Sequence, residues 1–347
     1  MKESGVSRRD FLKNTVRFLG GIAVLGAIRP GVHPGASPLD EVAAPPPRTQ
    51  RPRPDVALVR TESREDGVMR VMQLLGPHAF SGKRVMIKPN FNTADPVPGS
   101  THNDTLEAII RRLQAEGASS IVIGERAGPP DTHQVMTRKG IYELAERYGV
   151  EVVNFDRLPR EDWIKTDAPG SHWRDGFLVP KPLLDADAVV STACLKTHQY
   201  GGHFTLSLKN SVGIVPRVGY GYMTELHRSR HMRAMIAEIN YAYHPDLVIM
   251  DGIVGFTDGG PSTGVRKIAN LFWGGPDRVA IDAVGVAILK MLGSNRTIMD
   301  TPVFRHEQIA RAVELGLGTG DPGSIAFKTD DAASADVAAT LRKILAA

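Results

Sequence analysis

Residues Val85 to Arg126 read VMIKPNFNTADPVPGSTHNDTLEAIIRRLQAEGASSIVIGER. A short apolar run, Val85 to Ile87, leads through a polar link into an amphipathic pattern over Asp104 to Glu116. A second apolar run, Ile121 to Ile123, then closes the stretch. Strand, helix and strand in that order form a βαβ unit, whose two strands pair in parallel. The same alternation continues on both sides. Further strand signals lie at Val56 to Val59, Val150 to Phe155, Ala188 to Ser191, Leu247 to Met250 and Leu271 to Trp273. Further helical patterns cover Asp66 to Leu75, Gln134 to Tyr148, Met232 to Tyr241, Arg278 to Leu292 and His306 to Leu315. The expected fold is α/β: one large domain over 55–347 with a mainly parallel sheet and helices on both faces. Only Thr197 to Ser229 lacks a clean period, and long irregular stretches in compact domains are usually functional.

Chemistry-bearing residues cluster after these strands. Lys88-Pro89-Asn90 follows one, Gly124-Glu125-Arg126 another, Cys194 to His198 a third and Asp251-Gly252 a fourth. Ligands of open parallel sheets bind in the crevice outside the strands' C-terminal ends, so one pocket there is expected to gather Lys88, Lys196, His198 and Asp251. Lys88, Lys196 and Lys209 would bring three ammonium groups, and Asn90 and Asn210 amide donors, a set suited to a carboxylate or phosphate. Thr101 or Asn103 is placed to cap the helix beginning near Asp104 and aim its N–H groups at such an anion. Glu125 and the glycine-rich Gly255 to Gly264, with Gly260, complete the candidate ligand-binding set. The bland alternative pairs each lysine with Asp251, Asp282 or Glu125 in a structural network.

For catalysis the candidates are His198 and Asp251 as acid and base, with Lys196 positioning charge. Histidines also raise the question of a divalent metal, with His102, His198 and His203 as the candidate ligands, although no HExxH-like signature fixes a set. His227 and His231 would share a helix face if that stretch is helical. Cys194 lies beside Lys196 and His198, which favours a thiolate, but at the end of a buried strand it suits a small packed hydrophobe. As the single cysteine, it rules out an internal disulfide, a cysteine-ligated iron–sulfur cluster and a cysteine-built zinc site. No P-loop, no GxSxG and no GxGxxG after the first strand is present.

The N-terminal region has a different character. Ser7-Arg8-Arg9-Asp10-Phe11-Leu12-Lys13 matches the twin-arginine consensus, and the weakly apolar run Phe18 to Ile28 follows it. Its 11 residues fall short of the roughly 20 that span a bilayer as a helix. Residues 1–44 therefore read as a twin-arginine signal region addressed to the Tat translocase and a periplasmic or other extracytoplasmic destination. Small-residue sites at Gly35-Ala36-Ser37 and Val42-Ala43-Ala44 suit cleavage. Pro45 to Pro54, PPPRTQRPRP, reads as an extended linker. The pI of about 9.1 invites a nucleic-acid reading. Yet 9 of the 42 Lys and Arg and 4 of the 38 Asp and Glu lie in residues 1–54, leaving 33 against 34 in the body. A body of net charge −1 lacks a nucleic-acid footprint, and no transmembrane span is expected in the mature chain.

One family shares a series of these motifs. They are Lys88-Pro89-Asn90, Thr101-His102 opening a helix that ends at Gly117-Ala118, Lys196-Thr197-His198, Leu208-Lys209-Asn210 with Gly213, and Asp251-Gly252-Ile253. Gly260-Pro261 with Gly264, and Arg278 to Ala283, complete the series. Over about residues 55–320 the chain resembles the Domain of Unknown Function 362 family. The resemblance implies one α/β domain. It does not carry over the iron–sulfur label of relatives that append a ferredoxin-like segment, since the cysteines are missing. Two function classes stay open: an extracytoplasmic enzyme on a small anionic substrate, and a non-catalytic accessory protein that holds a metal or a metabolite.

Overall fold

The computed structural model describes residues 54–347 apart from His78. The twin-arginine motif, the apolar run and all of the Pro/Arg stretch but Pro54 lie outside the described residues.

The core is one sheet of β1 (Asp55–Arg60), β2 (Arg84–Lys88), β3 (Ser120–Glu125), β4 (Glu151–Asn154), β7 (Ala188–His198), β8 (His203–Thr205), β9 (Leu247–Gly259), β10 (Gly264–Gly275) and β11 (Ala326–Lys328). Its order is β11-β1-β10-β9-β7-β2-β3-β4, with β8 beside β7. Neighbours from β9 through β7, β2 and β3 to β4 are parallel, whereas β10 runs antiparallel to β1 and β9, and β8 to β7. The expected α/β fold with a mainly parallel sheet is the observed one. A two-stranded sheet, β5 (Trp163–Thr166) with β6 (Phe177–Pro180), lies apart.

Period-two alternation feeds both faces. In β1, Val56 and Leu58 enter a core with helices Arg278–Met291 and Ala332–Leu345, while Ala57 and Val59 enter another with helices Arg64–Leu75 and Asn103–Ala115. A third core packs Met86, Val122 and Val189 against β5, β6 and helix Met232–Ile239. A sheet covered on both faces needs apolar side chains at nearly every strand position, which is why short apolar runs marked the strands.

Three boundaries differ from expectation. The helix expected over Gln134 to Tyr148 is two, Thr132–Arg138 and Ile141–Tyr148, because Gly140 adopts a left-handed φ of 66° between them. β7 continues through the polar Lys196 to His198, and β9 through Asp251 and Gly252 to Gly259. Gly252 is not a turn residue but a packing one: a Cβ there would meet the Trp273 ring at 2.5 Å, as a glycine inside a strand often signals. No described helix is long and apolar enough to cross a membrane.

Candidate functional site

At the C-terminal edge where β2, β3 and β7 lie side by side, Lys88 ends β2 and Glu125 ends β3. Lys196 comes from the part of β7 that outruns them, and Lys209 and Asn210 come from the short helix Ser207–Asn210. With Asn90, Arg126 and Thr205 they line a cavity of about 40 Å³. A water occupies roughly 10–15 Å³ on this measure, so the space suits a small polar group.

The groups around it are unequally satisfied. Lys88 Nζ lies 2.7 Å from Glu125 Oε1, both buried, and donates to Pro89 O at 2.7 Å and Asn210 Oδ1 at 3.3 Å. Glu125 also accepts the N–H of Phe91 and of Arg126, each at 2.8 Å. Burial pushes Lys88 down and Glu125 up, and their mutual attraction opposes both shifts. A Cβ on Gly213 would meet Glu125 Oε1 at 2.5 Å and Lys88 Nζ at 2.9 Å, so only glycine admits the loop to this pair.

Lys196, fully buried, donates to Asn90 Oδ1 at 2.7 Å and Gly99 O at 2.6 Å. Its partners are neutral, and burial brings its pKa down to about 8. Arg126 gives its guanidinium to the carbonyls of Val215, Ala127 and Val212, and burial pushes it down to about 10.

Lys209 is half-buried, and its ammonium has no hydrogen bond or ion pair among the described residues. Burial first, then repulsion by Lys196 and Arg126, brings it to about 7. Thr205, 4% exposed, has a buried hydroxyl without a partner. Four cationic side chains thus share one carboxylate, Glu125, on a wall where an amine and a hydroxyl stand unpaired.

Asp282, buried on helix Arg278–Met291, positions the lysine-bearing turn. Its carboxylate accepts Ser207 N at 2.8 Å and Leu208 N at 3.0 Å, capping Ser207–Asn210 from outside. Burial raises it to about 7. Asn210 is fastened by its Nδ2, which donates to Lys88 O at 3.2 Å and Ser191 Oγ at 3.1 Å.

The family model described as Domain of unknown function (DUF362) matches residues 85–287, a span that contains every residue of this cavity wall. The chain belongs to the DUF362 family. A thylakoid-associated protein of Synechocystis sp. is 27% identical to this DUF362 chain over 250 residues, 68% of this chain and 74% of the relative. Among solved structures, the lactate racemase apoprotein from Thermoanaerobacterium thermosaccharolyticum aligns at 14% identity, covering 84% of this chain and 91% of its own, with a TM-score of 0.42.

Of the residues expected at one site, this DUF362 chain brings Lys88, Asn90, Glu125, Lys196, Lys209 and Asn210 around one cavity. Asp251 and His198 do not line it. Because β9 runs on, Asp251 sits in mid-strand, where its carboxylate takes Arg64 Nε at 2.8 Å, Thr105 Oγ1 at 3.1 Å and Ile253 N at 3.2 Å. His198 is beside Lys209 but turned to Gly202, whose N–H its Nδ1 accepts at 3.3 Å. Burial and the charge of Lys209 hold it neutral, well below the usual imidazole range. An acid–base pair of His198 and Asp251 is therefore not assembled.

Other expectations need correcting as well. The N-cap of Asn103–Ala115 is His102, whose Nδ1 accepts Asp104 N at 3.1 Å. Thr101 instead accepts Asn90 N at 2.9 Å, and Asn103 donates to Lys139 O at 2.6 Å. His102, His198 and His203 form no metal cluster, since no group of three His, Cys, Asp or Glu suited to a metal occurs among the described residues. His203 faces His306 instead. Helix Tyr222–Arg228 ends before His231, so His227 and His231 share no helix face. Gly260 packs its Cα on the carbonyl of Thr197, leaving no room for a side chain, and it is Pro261 that reaches the cavity. Burial pushes the Cys194 thiol up to about 12, which makes it an inert packing residue. Arg126 and Thr205 were not singled out as ligand groups in the sequence. The position of Arg126 directly after β3 was the available signal for it, and Thr205 had none.

Proposed function

We propose that this protein binds a small anion, a carboxylate or phosphate, in the cavity between Lys88, Arg126, Lys196 and Lys209, and that it does so outside the cytoplasm after export by the Tat translocase. The observation that carries the binding reading is the unpaired Lys209 ammonium on a wall where four cations share one carboxylate. Among the described residues Glu125 is the one carboxylate that lines the cavity, and an anion would offset the remaining charge through charge-assisted hydrogen bonds. The unpartnered Thr205 hydroxyl on the same wall supports the same reading, because a bound ligand is one way such a buried group is satisfied.

The test is a thermal melt with increasing phosphate, acetate or pyruvate. A hundredfold excess over the dissociation constant stabilises the wild type by roughly 2.7 kcal/mol, and Lys209→Met removes the response. A wild type indifferent to every small anion would end the binding reading. Export rests on Arg8 and Arg9 and is tested separately: replacing both by Lys should retain the protein in the cytoplasm, and a double variant that still reaches the exported fraction would refute it.

A further inference from the structure

The three lysines of the cavity are held in three different ways. Lys88 is a paired cation that donates to a carboxylate, a carbonyl and an amide oxygen. Lys196 is fixed by two neutral acceptors. Lys209 is fixed by nothing at its nitrogen, yet its stem is held closely: a Cβ on Gly202 would come within 2.9 Å of Lys209 Cε, so the chain leaves just enough space for it. The turn that carries it is locked at both ends, through Asp282 to Ser207 and Leu208 and through Asn210 to β2 and β7. An amine on a fixed stem, unpaired at its nitrogen on the wall of a small cavity that it shares with three other cations, gives up its proton more readily than a solvated lysine. It is suited to bonding with carbon.

We propose that Lys209 is a nucleophile that captures a small 2-oxo acid as a Schiff base, while Lys196 and Arg126 hold its carboxylate. This rests on the anion-binding reading above and names its substrate class. The Lys209 nitrogen adds to the carbonyl carbon, forming the C–N bond. The carbonyl oxygen then leaves as water, taking both amine hydrogens, and the imine nitrogen regains one proton from solvent to become an iminium. No oxidant or reductant is needed. The Thr205 hydroxyl, buried and unpartnered on the same wall, is the available group to hydrogen-bond the departing oxygen. Burial and the neighbouring cations bring Lys209 to about 7, so a substantial share of it is the free amine near neutrality, as Schiff-base lysines require. The cavity admits only a short acid, which makes pyruvate and glyoxylate the natural probes.

The experiment incubates the full chain with pyruvate, reduces with borohydride, and locates the adduct by intact mass and peptide mapping, alongside melts with pyruvate and with acetate. The expected result is a single carboxyethyl group on Lys209, with a trapping rate that levels off above pH 7 and falls about tenfold per pH unit below it. Lys209→Arg should lose the adduct yet keep a melting shift with acetate, which shows that the variant folds and still binds. Adducts scattered over exposed lysines, or a trapping rate still climbing through pH 9, would overturn the assignment. If anions shift the melt but no adduct forms, the nucleophile fails and the binding site stands. If neither occurs, both fail.

Discussion

Two buried polar clusters sit against the same sheet, and they differ in how completely they are satisfied. Around Asp251 the balance closes. One carboxylate meets one guanidinium, from Arg64, and the hydroxyl of Thr105 and the N–H of Ile253 take further lone pairs. Around Lys209 it does not close, with four cations against Glu125 and both an amine and a hydroxyl unpaired. Both clusters contain residues of the sort that marks active sites, and Asp251 and Lys209 both lie within the span matched by the DUF362 family model. A closed network contributes to the fold, whereas an open one costs stability unless something binds. The two clusters thus differ in the state of their hydrogen bonds rather than in the kinds of residue they hold.

The contrast predicts opposite responses to substitution. Asp251→Ala should have the largest effect, because it leaves Arg64 and Thr105 without their partner: breaking a buried pair costs about 3–5 kcal/mol, and Arg64's partial exposure of 16% argues for the lower end. Denaturant unfolding measures it, and anion binding should survive in the fraction that folds. Asp282→Ala comes next, at about 2 kcal/mol, since it strands the N–H groups of Ser207 and Leu208. Unlike Asp251→Ala it should also abolish the anion response, because the Lys209 turn loses its anchor.

Asp282 adds a pH test. Its folded value of about 7 lies above the ordinary 3.8, so the folded chain holds that proton more tightly than the unfolded one. Its contribution to stability is therefore full below pH 3.8 and is lost as pH rises toward 7. Asp282→Asn should flatten that slope in a series of melts. The smallest effect has the opposite sign: Lys209→Met should stabilise the anion-free protein, by about 1 kcal/mol, by removing a desolvated and repelled charge. Lys209 is lowered from 10.5 to about 7. The gain should therefore be largest below pH 7 and vanish above 10.5. A Lys209→Met protein that is clearly destabilised at pH 6 would place Lys209 with Asp251 among the structural residues.

Much of this arrangement can be read in the sequence, and the misreadings share a physical cause. Apolar runs located seven strands of the sheet because strands buried on both faces are apolar at nearly every position. The same logic failed where β7 and β9 carry Lys196 and Asp251 into the interior: a charge in a strand reads as the strand's end unless its buried partner is known, and Arg64 is 187 residues from Asp251. β8, β11 and the strands of the small sheet are three or four residues long, too short for a period to show. Lys88 and Asn90 were legible because they stand at a strand end that the parallel topology brings to the cavity. Thr205 and the anchoring role of Asp282 were not, since both depend on how the irregular stretch after β7 folds back onto helix Arg278–Met291.

If the cluster is open because an anion belongs there, an anion should occupy it in crystals. Anomalous diffraction from crystals soaked in selenate, a tetrahedral oxyanion of phosphate's shape that carries an anomalous scatterer, tests this most directly. The expected result is a peak in the cavity, within hydrogen-bonding distance of Lys209 Nζ and Thr205 Oγ1, that is absent from Lys209→Met crystals soaked in the same way. Selenate found only at surface lysines, with the cavity unchanged between wild type and variant, would contradict it.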